Sequence, residues 1–234
     1  MVPIHDENPV TLTPWVTRGL IVANIICFIV ELTLPPEQLE QFFYTWAFVP
    51  CQLMGTCQQL PASPFPEWIT LISSQFLHGG FGHITGNMLY LLIFGNNVED
   101  CLGHFKFFIF YIACGVLAAL TQGYFSQESV IPTLGASGAI AGVLGAYILR
   151  FPRAKVTLLF FPFPIPFKIS AFFFLGFWFF MQVMSGVGSV GPSAETGAEV
   201  GGIAYWAHAG GFVFGAILGP MLGLFSSRHG RSKF

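Results

Sequence analysis

Six long apolar runs, separated by shorter polar stretches, set the pattern of this chain. A helix of about 20 apolar residues is long enough to cross the hydrocarbon core of a bilayer. The runs therefore predict six membrane-spanning helices, at residues 17–34, 81–98, 105–125, 134–149, 169–187 and 203–225. The fourth run is short and rich in small residues, the fifth is crowded with phenylalanine, and the sixth carries glycine at every fourth position.

Positive charge lies on only one side of the six predicted helices. The nine Lys and Arg residues are Arg18, Lys106, Arg150, Arg153, Lys155, Lys168, Arg228, Arg231 and Lys233. The loops on the other side, at 35–80, 126–133 and 188–202, contain acidic residues but no base. Because Lys and Arg accumulate in cytoplasmic loops, we expect both termini to be cytoplasmic.

Composition agrees with a membrane protein, since charged residues are 9% of the chain and hydrophobic residues 54%. Soluble domains carry about 25% charged residues. The expected fold class is an all-α integral membrane protein with six transmembrane helices. We expect a domain at 17–225 between a short cytoplasmic tail at 1–16 and a basic cytoplasmic tail at 226–234. The first tail is polar and acidic, so we expect no cleaved signal peptide and a retained first helix.

The long loop at 35–80 is too aromatic for a flexible linker, with residues such as Trp46 and Trp68. We expect short amphipathic segments of this loop to lie in the outer membrane interface. Cys51 and Cys57 share the loop, which leaves a disulfide between them open. No cysteine and histidine cluster has zinc-site spacing, and we expect neither a metal nor an organic cofactor.

Four polar side chains fall inside the predicted helices at a similar depth: Ser137, His208, His83 and Asn87. Each lies near the outer end of the fourth, sixth or second helix. Polar side chains within a bilayer are costly and therefore indicate function. A serine beside a histidine is the minimal unit of nucleophilic acyl transfer. Taken singly, each also has a structural reading: Ser137 as a small packing residue, His208 as an interhelical hydrogen bond, and His83 with Asn87 as a polar clamp.

Glycines predict how the serine and the histidine could meet. Small residues recur on one face of the fourth and sixth helices, at Gly138, Gly142, Gly145, Gly211, Gly215 and Gly219. Such surfaces let two helix backbones approach closely in a membrane. We therefore expect the fourth and sixth helices to pack together and to bring His208 to Ser137.

The chain resembles the rhomboid intramembrane serine proteases. Four strings carry the resemblance, in the family's order: residues 76–87 (FLHGGFGHITGN), 94–103 (FGNNVEDCLG), 135–138 (GASG) and 207–211 (AHAGG). The resemblance implies that Ser137 is the nucleophile and His208 the general base. It also implies that Asn87 and His83, with the backbone amide of Ser137, stabilise the oxyanion. The expected partners are transmembrane protein substrates and the lipid bilayer, with no nucleic acid.

Two positions depart from the family pattern. Many members carry a tyrosine four residues after the serine, stacked on the histidine, where this chain has Ala141. Many have Trp-Arg in the first loop, where Trp68 is followed here by Ile69. No acidic residue falls in the spans near His208, so the expected catalytic unit is a Ser-His dyad without the acid of a triad.

Two other functions fit parts of the pattern. A catalytically inactive rhomboid-like protein could bind membrane clients, although such relatives usually lack the serine or the histidine. A small polytopic transporter could use a polar site, although transporters often show internal repeats, and the two halves of this chain show none.

The fifth predicted helix is open to two interpretations: the resemblance implies a route for lateral substrate access, and its aromatic residues could equally be lipid-facing bulk. We expect a bacterial plasma membrane, because the chain is a bare six-helix core.

Overall fold

A computed structural model describes residues 2–57, 60, 64–160, 165–189 and 204–226 of the chain. The helices are α1 (Trp15–Thr33), α2 (Pro36–Trp46), α3 (Pro50–Met54), α4 (Thr70–Ser73), α5 (Phe81–Tyr90), α6 (Asn96–Leu102), α7 (His104–Phe125), α8 (Ser137–Arg150), α9 (Ala171–Gly188) and α10 (Tyr205–Leu222). Short 3₁₀ turns cover Glu67–Ile69 and Ser74–Phe76, and a π turn covers Leu91–Gly95. The strands are β1 (Val2–Asp6), β2 (Lys155–Phe160) and β3 (Ile165–Ser170).

A helical segment lies in each of the six predicted runs. The second run is one helical stretch in which α5 continues through the π turn into α6. Three of the described helices, α1, α7 and α9, are long and apolar enough to cross a membrane. The fourth segment begins at Ser137, three residues later than predicted. The preceding chain is extended there because Phe48 and Thr133 exchange two backbone hydrogen bonds, of 3.0 and 2.7 Å.

Helix α8 forms the centre of the core. Every residue from Gly138 to Tyr147 is buried, including the large side chain of Tyr147. Helices α7 and α10 pack along it, and the π turn and α6 also contact it. Its small residues allow this crowding, because several helices can approach a helix that lacks bulky side chains. A helix enclosed in this way has no need of an apolar run of full membrane length.

The expectation of an all-α fold is wrong in one respect, since β1, β2 and β3 form an antiparallel sheet in the order β1-β2-β3. The middle strand, β2, buries Val156 and Leu158 and alternates them with more exposed positions. This period of two is the pattern of a half-buried strand. The predicted helices left this region, with Lys155 and Lys168, in a loop between the fourth and fifth apolar runs.

Residues near the N-terminus, predicted to be a tail, are held against the ends of the helices. The carboxylate of Asp6 accepts hydrogen bonds from the Tyr147 hydroxyl (2.6 Å) and the Asn97 side-chain amide (3.0 Å). Burial raises the pKa of this carboxyl above its ordinary value of 3.8. The buried Glu99 carboxylate accepts hydrogen bonds from the backbone N–H groups of Val16 (2.9 Å) and Thr17 (2.7 Å). Those two groups lie in the first turn of α1, so Glu99 satisfies donors that the helix leaves unpaired.

The long loop between the first and second runs contains the short helices that its aromatic pattern predicted. Helix α2 is amphipathic, and α3 follows it. Cys51 and Cys57 form a disulfide, which resolves the pairing that the sequence left open. Of the other three cysteines, Cys101 and Cys114 are buried and Cys27 is partly buried. Most of the predicted loop at 188–202 and the basic tail, with Arg228, Arg231 and Lys233, lie outside the described residues.

Candidate active site

Ser137 is the first residue of α8 and follows a sharp turn of the chain. Gly135 makes this turn with a φ of +125°, in the region that favours glycine. A Cβ atom at this position would lie 2.7 Å from Nε2 of His83, so glycine is also required for space. The Gly135 N–H donates a 2.8 Å hydrogen bond to the Ser74 carbonyl oxygen, which fixes the turn. The serine is therefore held at a helix N-terminus, where backbone N–H groups have no partner within the helix.

His208 lies in the first turn of α10, and that helix packs directly on α8. A Cβ atom on Gly211 would collide with the Gly138 carbonyl, and one on Gly215 with the Gly142 carbonyl. The two backbones therefore touch, as the glycine spacing predicted. This approach brings Nε2 of His208 to 2.8 Å from Oγ of Ser137, which is hydrogen-bonding distance.

His83 and Asn87 lie one turn apart on α5 and flank the turn before Ser137. A Cβ atom on Gly135 would be 2.7 Å from His83 Nε2 and 3.7 Å from Asn87 Nδ2. Asn87 is 8% exposed, and its Nδ2 group has no hydrogen-bond partner among the described residues. A buried donor without an acceptor costs free energy, so such groups need an explanation. The four predicted site residues thus lie around one turn of the chain.

A small cavity of about 30 Å³ adjoins the serine. Its lining includes Ser74, Gln75 and Ser137, and the buried Gln75 Oε1 has no hydrogen-bond partner among the described residues. One water needs about 10–15 Å³ of such space and two or more polar partners. The cavity beside Ser137 can therefore hold water.

His78 lies between the 3₁₀ turn at Ser74–Phe76 and α5. Its backbone N–H donates to Oε1 of the buried Glu31 at 3.1 Å, and its ring centroid is 5.0 Å from that of His83. Burial, with a smaller contribution from His83, lowers the pKa of the His78 imidazole to about 4. This ring is therefore neutral at physiological pH and adds no charge to the site.

Two residues of α9 that the sequence analysis did not single out contact His208. Gln182 Oε1 lies 2.8 Å from the second ring nitrogen, Nδ1. The Trp178 ring centroid is 5.7 Å from that of the imidazole, with an interplanar angle of 33°. A polar glutamine inside a strongly aromatic run is costly in a membrane and therefore indicates a functional role. This pattern in the sequence could have identified Gln182 as a candidate site residue. Ala141, four residues after Ser137, where many proteins of the family that the chain resembles carry a tyrosine, is fully buried.

The described residues contain no group of three or more His, Cys, Asp and Glu side chains that could hold a metal ion. The side chains that meet at the site supply a hydroxyl, an imidazole in contact with it, and an amide donor nearby.

Comparison with known proteins gives one consistent result. The family model described as "Rhomboid domain" matches residues 66–225. Rhomboid protein 1, mitochondrial, of Saccharomyces cerevisiae is 33% identical over 155 residues, which are 64% of this chain and 41% of that protein. Rhomboid-like protein 11, chloroplastic, of Arabidopsis thaliana is 28% identical over 54% of this chain and 42% of its own length. Rhomboid protease GluP of Bacillus subtilis is 38% identical over 82 residues, 35% of this chain and 16% of that protein. The chain thus spans less than half the length of these relatives.

Proposed function

The chain belongs to the rhomboid family of membrane proteins, and we propose that it is an intramembrane serine endopeptidase using Ser137 and His208. The contact of 2.8 Å between His208 Nε2 and Ser137 Oγ is the observation that carries the proposal. A serine hydroxyl is a weak nucleophile until an adjacent base accepts its proton, and this geometry supplies that base. One of the similar proteins is named a protease, which supports the same reaction class.

The proposed reaction proceeds through an acyl-enzyme. Ser137 Oγ attacks the carbonyl carbon of a peptide bond while His208 Nε2 takes the hydroxyl proton. The backbone N–H of Ser137, with Asn87 and His83, stabilises the oxyanion of the tetrahedral intermediate. His208 returns its proton to the leaving amine as the peptide bond breaks. Water, activated by His208, then hydrolyses the ester and releases the second product.

We further propose that the six helices of the domain at 17–225 cross the membrane, with the N-terminus and the basic segments on the cytoplasmic side. Pairing of β1 with β2 supports this orientation, because it holds residues 2–6 on the same side as Lys155. An ion pair between Glu7 and Lys168 also supports this orientation, because it holds Glu7 on the same side as the basic residue Lys168. The disulfide Cys51–Cys57 belongs to a loop on the other side, and disulfides persist in oxidising compartments. The relatives named mitochondrial or chloroplastic do not support the expected bacterial plasma membrane.

The decisive experiment compares the wild type with Ser137→Ala and His208→Ala in detergent. A labelled single-span membrane substrate should be cleaved by the wild type and by neither variant. A fluorophosphonate should label the wild type covalently and fail on Ser137→Ala. Ser226→Ala, an exposed serine of the described chain, is the matched control and should retain both activities. Cleavage by either site variant would refute the dyad, and binding of the substrate without cleavage by the wild type would favour an inactive client-binding protein.

The orientation has its own test by thiol labelling, in a background that lacks Cys27, Cys101 and Cys114. Ser137→Cys should react with a small membrane-impermeant reagent added from the outer face only, because the cavity beside it can hold water. Lys168→Cys, at an exposed position of β3, should react from the opposite face only. Reaction of both positions from one face would overturn the proposed topology.

A further inference from the structure

Both ring nitrogens of His208 have hydrogen-bond partners. Nε2 lies 2.8 Å from Ser137 Oγ, and Nδ1 lies 2.8 Å from Gln182 Oε1. An amide oxygen can only accept a hydrogen bond, so Nδ1 carries the proton. The neutral ring then has an unprotonated Nε2, which accepts from the serine hydroxyl. This is the tautomer that a general base at Nε2 requires.

The same face of α9 holds the ring from a second side. Trp178 is one turn before Gln182, so both side chains point toward α10. The Trp178 ring lies 5.7 Å from the His208 ring and 6.3 Å from that of Phe212. Since Ala141 cannot reach the imidazole as a larger side chain would, the contacts that orient His208 come from α9.

We propose that Gln182 is a positioning residue that fixes the tautomer and orientation of His208 by accepting the hydrogen bond from Nδ1. The inference rests on the proposed function and adds a residue to it. Gln182 takes the place in space that an aspartate occupies in a Ser-His-Asp triad, but as a neutral group. It therefore selects the tautomer without adding a negative charge to stabilise an imidazolium. Because Gln182 belongs to α9, the base is aligned only while this helix remains packed on α10.

Two near-isosteric variants separate hydrogen bonding from packing. Gln182→Met keeps the length of the side chain and removes the acceptor, whereas Gln182→Glu keeps an acceptor oxygen. The neighbouring Met181→Ala, at a position 43% exposed, is the control for changes in α9 that do not touch His208. Loss of one hydrogen bond to the base should lower kcat of Gln182→Met about tenfold, with KM unchanged. Gln182→Glu and Met181→Ala should retain most of the wild-type kcat.

Nitrogen-15 NMR of the imidazole reads the tautomer directly. The wild type should show a protonated Nδ1, and Gln182→Met should show a shifted or mixed tautomer at unchanged thermal stability. Full activity of Gln182→Met would overturn the inference, as would equal losses in the Met and Glu variants or an unprotonated Nδ1 in the wild type. The NMR measurement needs no turnover. A wild type that cleaves nothing but has Nδ1 protonated would therefore count against the proposed protease and not against the contact.

Discussion

His208 Nε2 lies 2.8 Å from Ser137 Oγ across 71 positions of sequence. The contact depends on the backbones of α8 and α10, which touch where glycine faces a carbonyl group. Small residues on these two helices are therefore a condition for the contact, because they determine how closely the two side chains can approach.

We expect Gly215→Ala to lower both stability and cleavage. Its new methyl group would meet the backbone of Gly142 on α8 and force the helices apart. Overpacking of this kind costs about 1–3 kcal/mol, and it would lengthen the His208–Ser137 distance. Thermal unfolding in detergent and cleavage of a membrane substrate measure the two effects. Gly176→Ala in α9 is the matched control, since nothing lies within 4 Å of its new methyl group. A wild-type melting temperature for Gly215→Ala would refute the packing argument.

Asn87→Ala should reduce turnover and leave substrate binding intact. Its buried Nδ2 is unpaired in the described structure, as expected of a donor that acts on an oxyanion formed later. Loss of one oxyanion donor lowers kcat by at most about 10²–10³-fold, and by less if His83 compensates. Thr85→Ala, an exposed position of the same helix, should leave kcat unchanged. A rise in KM at constant kcat would instead make Asn87 a substrate-binding residue.

Phe179→Ala and Phe180→Ala should differ, although the two phenylalanines are neighbours in the same aromatic run. Phe179 stacks on Phe212 of α10 with ring centroids 4.6 Å apart, whereas Phe180 is 55% exposed. If α9 borders the route of substrate access, Phe179→Ala should lower the melting temperature while cleavage holds or rises. Phe180→Ala should change neither. Parallel loss of stability and cleavage in Phe179→Ala would show that this contact serves packing alone.

Asp6→Ala should lower the free energy of unfolding by about 1–3 kcal/mol, because it removes the acceptor of the Tyr147 hydroxyl and one of the acceptors of the Asn97 amide. Asp6→Asn keeps an acceptor and removes the charge. Burial raises the pKa of Asp6 in the folded protein above its ordinary value of 3.8. Protonation of Asp6 therefore stabilises the fold, fully at pH values below 3.8, and this stabilisation is lost as the pH rises through the raised pKa of the folded state.

Asp6→Asn should therefore equal or exceed the wild type in stability at neutral pH, and this difference should vanish below about pH 3.8. Denaturation followed at several pH values measures it. Glu7→Gln is the control, since Glu7 forms an exposed ion pair with Lys168, and ion pairs on the surface contribute little to stability. If Asp6→Asn were as unstable as Asp6→Ala at neutral pH, the charge itself would be required.

Local patterns in the sequence were enough to predict the helical segments and the residues around Ser137. Apolar runs predict helices because each segment satisfies its own backbone hydrogen bonds, whatever its neighbours are. The similar depth of His83, Asn87, Ser137 and His208 on three predicted helices predicted that they would lie together, and the structure places them around one turn of the chain. The glycine spacing predicted the face by which α8 and α10 pack.

Only the tertiary structure determined the features that require contact between two distant segments of the chain, namely the β-sheet and the hydrogen bond between Gln182 and His208. The sheet forms because residues 2–6 pair with β2. The sequence of a strand as short as β2 does not indicate which distant segment it pairs with. Gln182 contacts His208 because of the rotation of α9 about its axis and its position along α10. The sequence pattern within α9 specifies neither the rotation nor the position. Side-chain hydrogen bonds act over about 3 Å, so they are determined by the relative placement of helices that only the packed fold establishes.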